Sequence, residues 1–342
     1  MSNLTRAHRE LFRREPDERF STLETLTTYC RQQRDDSCEL WWQPDRLATR
    51  PVDTQQLNLE GADGAQLRLT EWSFSQLCAL CGVHKGTVNR LQANTAGQIF
   101  RETLPAGNKP IQVLSTADQA RSIHGASYTR LFNAELLDVV ADCADGFEPP
   151  PKGINGATGL YCGEQDLFIF LIDPTGWVEI NGESFAPGFF CWNSEVGKRS
   201  LGLQTFWFQS VCANHLVWDP IETVEFSRRH TANIHESLDL VRDLIGNLVK
   251  KRDERRDGFA QAIKMAMGTR FAESADEAIV DITRHGLTRT IAAKAIELAK
   301  RRGALTIFSV VDALTQLSQK SVNAGDRTLL DQKAAGLLAL AV

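Results

Sequence analysis

The residues best suited to chemistry gather at two short basic corners. "EVGKRS", residues 195–200, sets Lys198 and Arg199 beside Gly197, between aromatic-rich runs that contain Trp192 and Trp207. "SRRHT", residues 227–231, adds Arg228, Arg229 and His230. Cations on turns beside aromatic strands can hold a single-stranded nucleic-acid backbone while bases stack on the rings. The same residues also make ordinary solvated turns.

A second stretch, "SQLCALCGVHKGTVNRL" at residues 75–91, has the outline of a helix-turn-helix. Ser73 and Gln76 form a capping box, and Trp72 and Leu77 a hydrophobic staple, so a helix is expected to start near Phe74. Gly82 ends it, and Lys85 to Ala93 forms a second helix with Lys85, Asn89 and Arg90 facing a DNA groove. Against this, His84 stands where a Ser or Thr cap is usual, and Gly86 costs the helix about 1 kcal/mol relative to alanine. An ordinary helical hairpin fits the same pattern. Cys78 and Cys81 have Cys-x-x-Cys spacing, but they lie in an apolar stripe with no second ligand pair, which reads as core thiols.

Acid–base or metal chemistry has weaker candidates. Glu195, His215 and His230 would make an enzyme site if they converged. His215, His230 and His235, with Glu195 or Asp219, could make a metal site, although His230 and His235 miss the i, i+4 alignment. The sequence contains no Gly-rich phosphate loop, no G-x-S-x-G elbow, and no kinase or zinc-protease signature. A non-catalytic protein with no cofactor and no metal is expected.

The elements that carry these residues follow from periodicity. A charged helical segment runs to about Asp36, and "QQLNLE" and "AQLRLTEW" form a hairpin around "GADG". "IQVLS" reads as a strand and "NAELLDVVADCAD" as an amphipathic helix. After the breaker at residues 148–153, "DLFIFLIDPTGWVEING" reads as a hairpin turning at Asp173 to Gly176. Long aromatic and β-branched strands follow, and from Ile234 the pattern is helical. The expected fold is α+β: a mixed N-terminal half, a central antiparallel sheet with long hairpins, and a helical C-terminal third. Residues 1–50 read as a charged extension and 51–342 as one domain, with a possible sub-boundary at 148–153.

The chain has 342 residues, 42% hydrophobic and 24% charged, with a formal net charge of -5. That balance argues against a uniformly basic DNA-coating protein but permits a local basic face. Eight cysteines are scattered without a disulfide framework, and Cys30, Cys78, Cys143 and Cys212 sit in apolar periods. No stretch approaches a membrane span, and the start is polar, so a cytoplasmic protein with no membrane contact is expected.

Several of these segments, in order, resemble the phage/plasmid-like protein family whose domain of unknown function carries the number nine hundred and thirty-two. "FSQLCALCGVHKGTVNRL" and "ARSIHGASYTRLFNAELLDVV" are similar to its helix pair and its strand–turn–helix. "NSEVGKRSLGLQTFWFQSVCANHLV", then "RRHT", resembles its most specific part. "VVDALTQLSQK" and "LLDQKAAGLLAL" resemble its last helices. The motif residues are Ser194, Glu195, Gly197, Cys212, Asn214, His230 and Thr231, with His215 where the family usually has glycine. The resemblance covers roughly residues 60 to 340 and implies residence on a phage, plasmid or integrating element, with no established chemistry.

The favoured expectation is nucleic-acid binding, single-stranded DNA above all, in recombination or replication. Lys198, Arg199, Arg228, Arg229 and His230 would contact phosphates, with Trp192 and Trp207 nearby. The alternatives are a duplex-reading regulator through Lys85, Asn89 and Arg90, and an enzyme with a Glu/His site. A homo-oligomer is compatible with all three.

Overall fold

The computed structural model describes residues 10–61, 64–152, 158–210, 215–218, 225–250 and 252–341. In chain order, β1 (Glu18–Phe20), α1 (Leu23–Asp35), β2 (Ser37–Trp42), β3 (Ala48–Pro51), β4 (Leu57–Glu60) and β5 (Gln66–Leu69) come first. Three helices follow, α2 (Glu71–Leu80), α3 (Lys85–Val88) and α4 (Ala93–Thr103). Then come β6 (Ile111–Thr116), β7 (Gln119–Gly125) and α5 (Asn133–Cys143). The strands β8 (Leu160–Cys162), β9 (Leu167–Ile172), β10 (Val178–Ile180), β11 (Glu183–Asn193), β12 (Leu201–Gln209), β13 (His215–Trp218) and β14 (Glu225–Arg228) follow. The chain closes with α6 (Ser237–Lys250), α7 (Arg252–Gly268), α8 (Ala275–Arg284), α9 (Arg289–Arg302), α10 (Ile307–Ser318) and α11 (Ala324–Ala335).

Two sheets result, and the fold is α+β. The first is antiparallel, ordered β1-β8-β9-β11-β12-β13, with β10 on β11 and β14 on β12. The second is ordered β2-β6-β7-β5-β4-β3, and its β5–β7 pair is parallel. Alternation along β11 sends Phe189 and Cys191 to one face and Phe190 and Trp192 to the other. The first face packs on α1, α5 and α6, and the second meets Ala324 and Ala335 of α11. The C-terminal helices form a further core around Phe259, Ile296 and Val310.

Four expectations need correction. Of the expected extension over residues 1–50, the described part, residues 10–50, is not separate, because β1 pairs with β8 and β2 pairs with β6. Helix α2 starts at Glu71, since Thr70 forms the capping box with Ser73. Gln76, freed from capping, accepts from Ile123 N–H at 2.9 Å. Asp173 to Gly176 is no hairpin turn: β9 and β10 both pair with β11 along its length, and the chain reverses at Asn181 (φ 52°) and Gly182 (φ 83°). That Asn-Gly dipeptide suits a two-residue hairpin whose central residues both need positive φ. Trp207 is buried and stacks on Phe259 at 4.1 Å, so it cannot meet a base.

Among the described residues, no helix is long and apolar enough to cross a membrane.

Candidate nucleic-acid interface

The connection between β11 and β12 begins as a buried lock and ends as an exposed edge. Ser194 Oγ donates to Gln165 O at 2.5 Å and accepts from Lys198 N–H at 2.8 Å, closing the turn. Gly197 has φ +76°, and a β-carbon there would collide with the His124 ring. Glycine is required on both counts.

Glu195 is 2% exposed, and its carboxylate pairs with Arg121 at 2.6 Å. It also accepts from Asn133 N–H, at the start of α5, at 2.9 Å. A carboxylate at a helix N-terminus is favoured by the helix dipole. The Glu195 carbonyl accepts from Tyr128 Oη at 3.1 Å and from Arg130 Nη1. The Val196 carbonyl accepts from Trp72 Nε1 at 2.7 Å and His124 Nε2 at 2.9 Å. Glu195 and Val196 therefore join the two sheets to α5 and α2, while Ser194 and Gly197 shape the turn that holds them.

His230 belongs to this lock. Its ring lies 5.4 Å from Tyr128, which stacks on His124 at 3.7 Å. Burial, aided by the charge of Arg130, pushes both imidazoles down to about 4, so they are neutral near pH 7. A neutral, 7% exposed His230 contacts no phosphate, which corrects the expectation for it. Nor is Glu195 a free base, since Arg121 and Asn133 occupy its carboxylate. Cys212 and Asn214 lie outside the described residues, as does the side chain of His215. Thr231 is exposed. His235 pairs with Glu135 at 3.3 Å, and no group of three metal-ligating side chains occurs among the described residues.

The basic residues separate into two groups. Arg199 Nε donates to Asp166 at 2.6 Å, its guanidinium lies 5.5 Å from the Phe168 ring, and Asp166 also accepts from Arg14 at 2.9 Å. Asp17, bonded to Arg14, accepts from Ala324 N–H at the start of α11. Two arginines and two aspartates balance, so Arg199 is a bracket between hairpin, N-terminal segment and α11. Lys198, Arg228 and Arg229 are exposed and have no ion pair among the described residues. Lys198 lies 4.6 Å over the Trp72 ring, where burial and then Arg199 lower its pKa. Arg228 is the register partner of Leu201, and Ser227 Oγ lies 2.7 Å from Ser200 Oγ. The two corners of the sequence thus meet on one edge.

Beside that edge lies a cleft of about 340 Å³, lined by Phe190, Trp192, Lys198, Arg199, Leu329 and Gln332 among others. Trp192 stacks on Phe190 at 4.8 Å and is 9% exposed, so it offers an edge, while Leu329 is 46% exposed.

The stretch around residue 85 has a different role. Helix α3 is a single turn, Lys85 pairs with Glu71, and Asn89 is buried. Asn89 accepts from Phe12 N–H and donates to Phe12 O, both at 2.8 Å, pinning the N-terminal segment. Only Arg90 remains exposed, and its Nε donates to Gly86 O. A one-turn helix cannot present a recognition face. Cys78 and Cys81 are core, as their apolar stripe implies, and burial pushes their thiols up to about 12 and about 11.

Arg14, Asp166 and Leu329 escaped the sequence reading, because they reach this region from three distant segments. Arg121 and Arg130 carried a usable signal, as cations within an otherwise apolar strand and turn.

The pattern of a family described as a domain of unknown function (DUF932) matches residues 121–322. No curated protein and no solved structure matches the chain.

Proposed function

The chain belongs to the DUF932 family, and we propose that it binds single-stranded nucleic acid, without catalysing a reaction, in the recombination or replication of a mobile element's DNA. The observation that carries this reading is the meeting of Lys198, Arg228 and Arg229 on one exposed edge, beside a cleft with an aromatic floor. Arg228 ends β14 opposite Leu201, Arg229 follows it and Lys198 lies in the adjoining turn. Three cations without an ion pair among the described residues thus gather where a phosphate backbone can run past them. A net charge of -5 is no obstacle, since phosphates are contacted patch by patch.

The aromatic contribution is small in this reading. Trp192 shows only its edge and Trp207 none of its surface, so contacts to bases fall to Leu329 and the rim of Trp192. Phosphate contacts then dominate, and binding is tolerant of sequence. Mobility shifts of a 30-nucleotide strand at low salt test this. The variant Lys198→Ala/Arg228→Ala/Arg229→Ala should bind at least tenfold more weakly than the wild type. A wild-type protein that shifts no strand under those conditions sinks the proposal.

A further inference from the structure

A second surface stands apart from the hairpin edge. Helices α8 and α9 are joined by four residues, His285 to Thr288, with Gly286 at φ +80° and Leu287 buried in the shared core. Thr288 caps α9 by accepting from Ile291 N–H. Two helices joined by a short turn with glycine, an inward apolar residue and a Thr cap on the second helix make a helix-turn-helix pattern. Helix α10 packs against α9 through the same core.

The outer face of α9 is basic. Arg289, Thr290, Lys294, Glu297, Lys300 and Arg301 are exposed, while Ala292, Ala295, Ile296 and Ala299 face the core. Glu297 pairs with Arg301 at 2.5 Å. Arg289, Lys294 and Lys300 have no ion pair among the described residues. Cations at the C-terminal end suit the helix dipole and imply nothing more. Arg289, in the first turn, works against that dipole, and no carboxylate is paired with it, so stability does not account for it. Lys333 adds charge at the turn, where its Nζ donates to Gly286 O at 2.8 Å. Of the acidic residues of α8, Asp276 and Glu277 lie at the end remote from the turn, and Asp281, nearer to it, is paired with Arg284 at 3.0 Å.

We infer that α9 is a recognition helix for duplex DNA, with Arg289 and Lys294 contacting phosphates and Thr290 facing the major groove. The charge of this face commits it to a polyanion, and a single helix of 14 residues enters a B-form major groove. An A-form RNA duplex has a major groove too narrow to admit it. This inference does not depend on the single-strand reading.

The test uses the full chain and fluorescein-labelled 30-base-pair DNA duplex, 30-base-pair RNA duplex and 30-nucleotide single strand, followed by anisotropy at low salt. The variant Arg289→Ala/Lys294→Ala should bind the DNA duplex at least tenfold more weakly, with single-strand affinity within twofold of the wild type. Arg289→Gln/Lys294→Gln should do the same, and thermal melting should show both variants folded. Unchanged duplex affinity in both folded variants overturns the inference. So does a wild type that binds RNA duplex as tightly as DNA, or one that binds no duplex.

Discussion

At the scale of single residues, the stacked rings of His124, Tyr128 and His230 make the lock sensitive to acid. Both imidazoles are lowered from 6.5 to about 4 in the folded chain, chiefly by burial. The unfolded chain therefore binds more protons between those values, and stability falls as pH drops through that window. One such histidine contributes roughly 3 kcal/mol by pH 4. Asp331 acts in the opposite sense, because burial raises its carboxyl to about 7 and its contribution is lost as pH rises toward that value. Comparison with a variant cancels that effect. His230→Phe keeps a ring beside Tyr128 and removes the titrating group, and its urea midpoint should fall less than the wild type's between pH 6.5 and 4. Equal acid sensitivity would mean that His230 is not held neutral. The motif residues were legible as a motif, but their work was not. Glu195 read as a candidate catalyst because its partner Arg121 lies in a distant strand; a cation within an apolar strand is legible locally, but which carboxylate it meets is not.

At the scale of elements, local chemistry was a good guide wherever it had no competitor. The β4–β5 hairpin, β6, α5 and the end-to-end helices from α6 onward follow their periodicity. Where two local signals overlapped, tertiary contacts chose between them. Ser73 could cap with Gln76 or serve Thr70, and Gln76 was drawn away by the edge of β7. Likewise Asp173-Pro174-Thr175-Gly176 looks like a hairpin turn, yet the long β11 offers hydrogen bonds to both β9 and β10, which keeps the chain running along it. The reversal falls on Asn181 and Gly182 instead. Gly182→Ala should therefore lower stability by about 1 kcal/mol or more, since alanine resists positive φ. Chemical denaturation measures this, and a neutral result would place the reversal elsewhere.

At the scale of the whole molecule, the class of fold was legible and the assembly of its sheets was not. Composition and the change of pattern after residue 153 are enough for α+β. Pairings such as β1 with β8 and β2 with β6 join segments far apart in the chain, and no periodicity specifies a partner. The same distance conceals the cleft, whose walls come from the hairpin and from α11. It also separates the basic residues by task, with Arg199 bound to Asp166 while Lys198, Arg228 and Arg229 remain open.

Single-strand binding at that edge is tested most directly by the salt dependence of affinity. For a 30-nucleotide strand followed by anisotropy, three phosphate contacts predict a log–log slope of about -2. In Lys198→Ala/Arg228→Ala/Arg229→Ala that slope should collapse toward zero. A slope unchanged in the variant, or a wild type with no affinity at the lowest salt, would contradict the account.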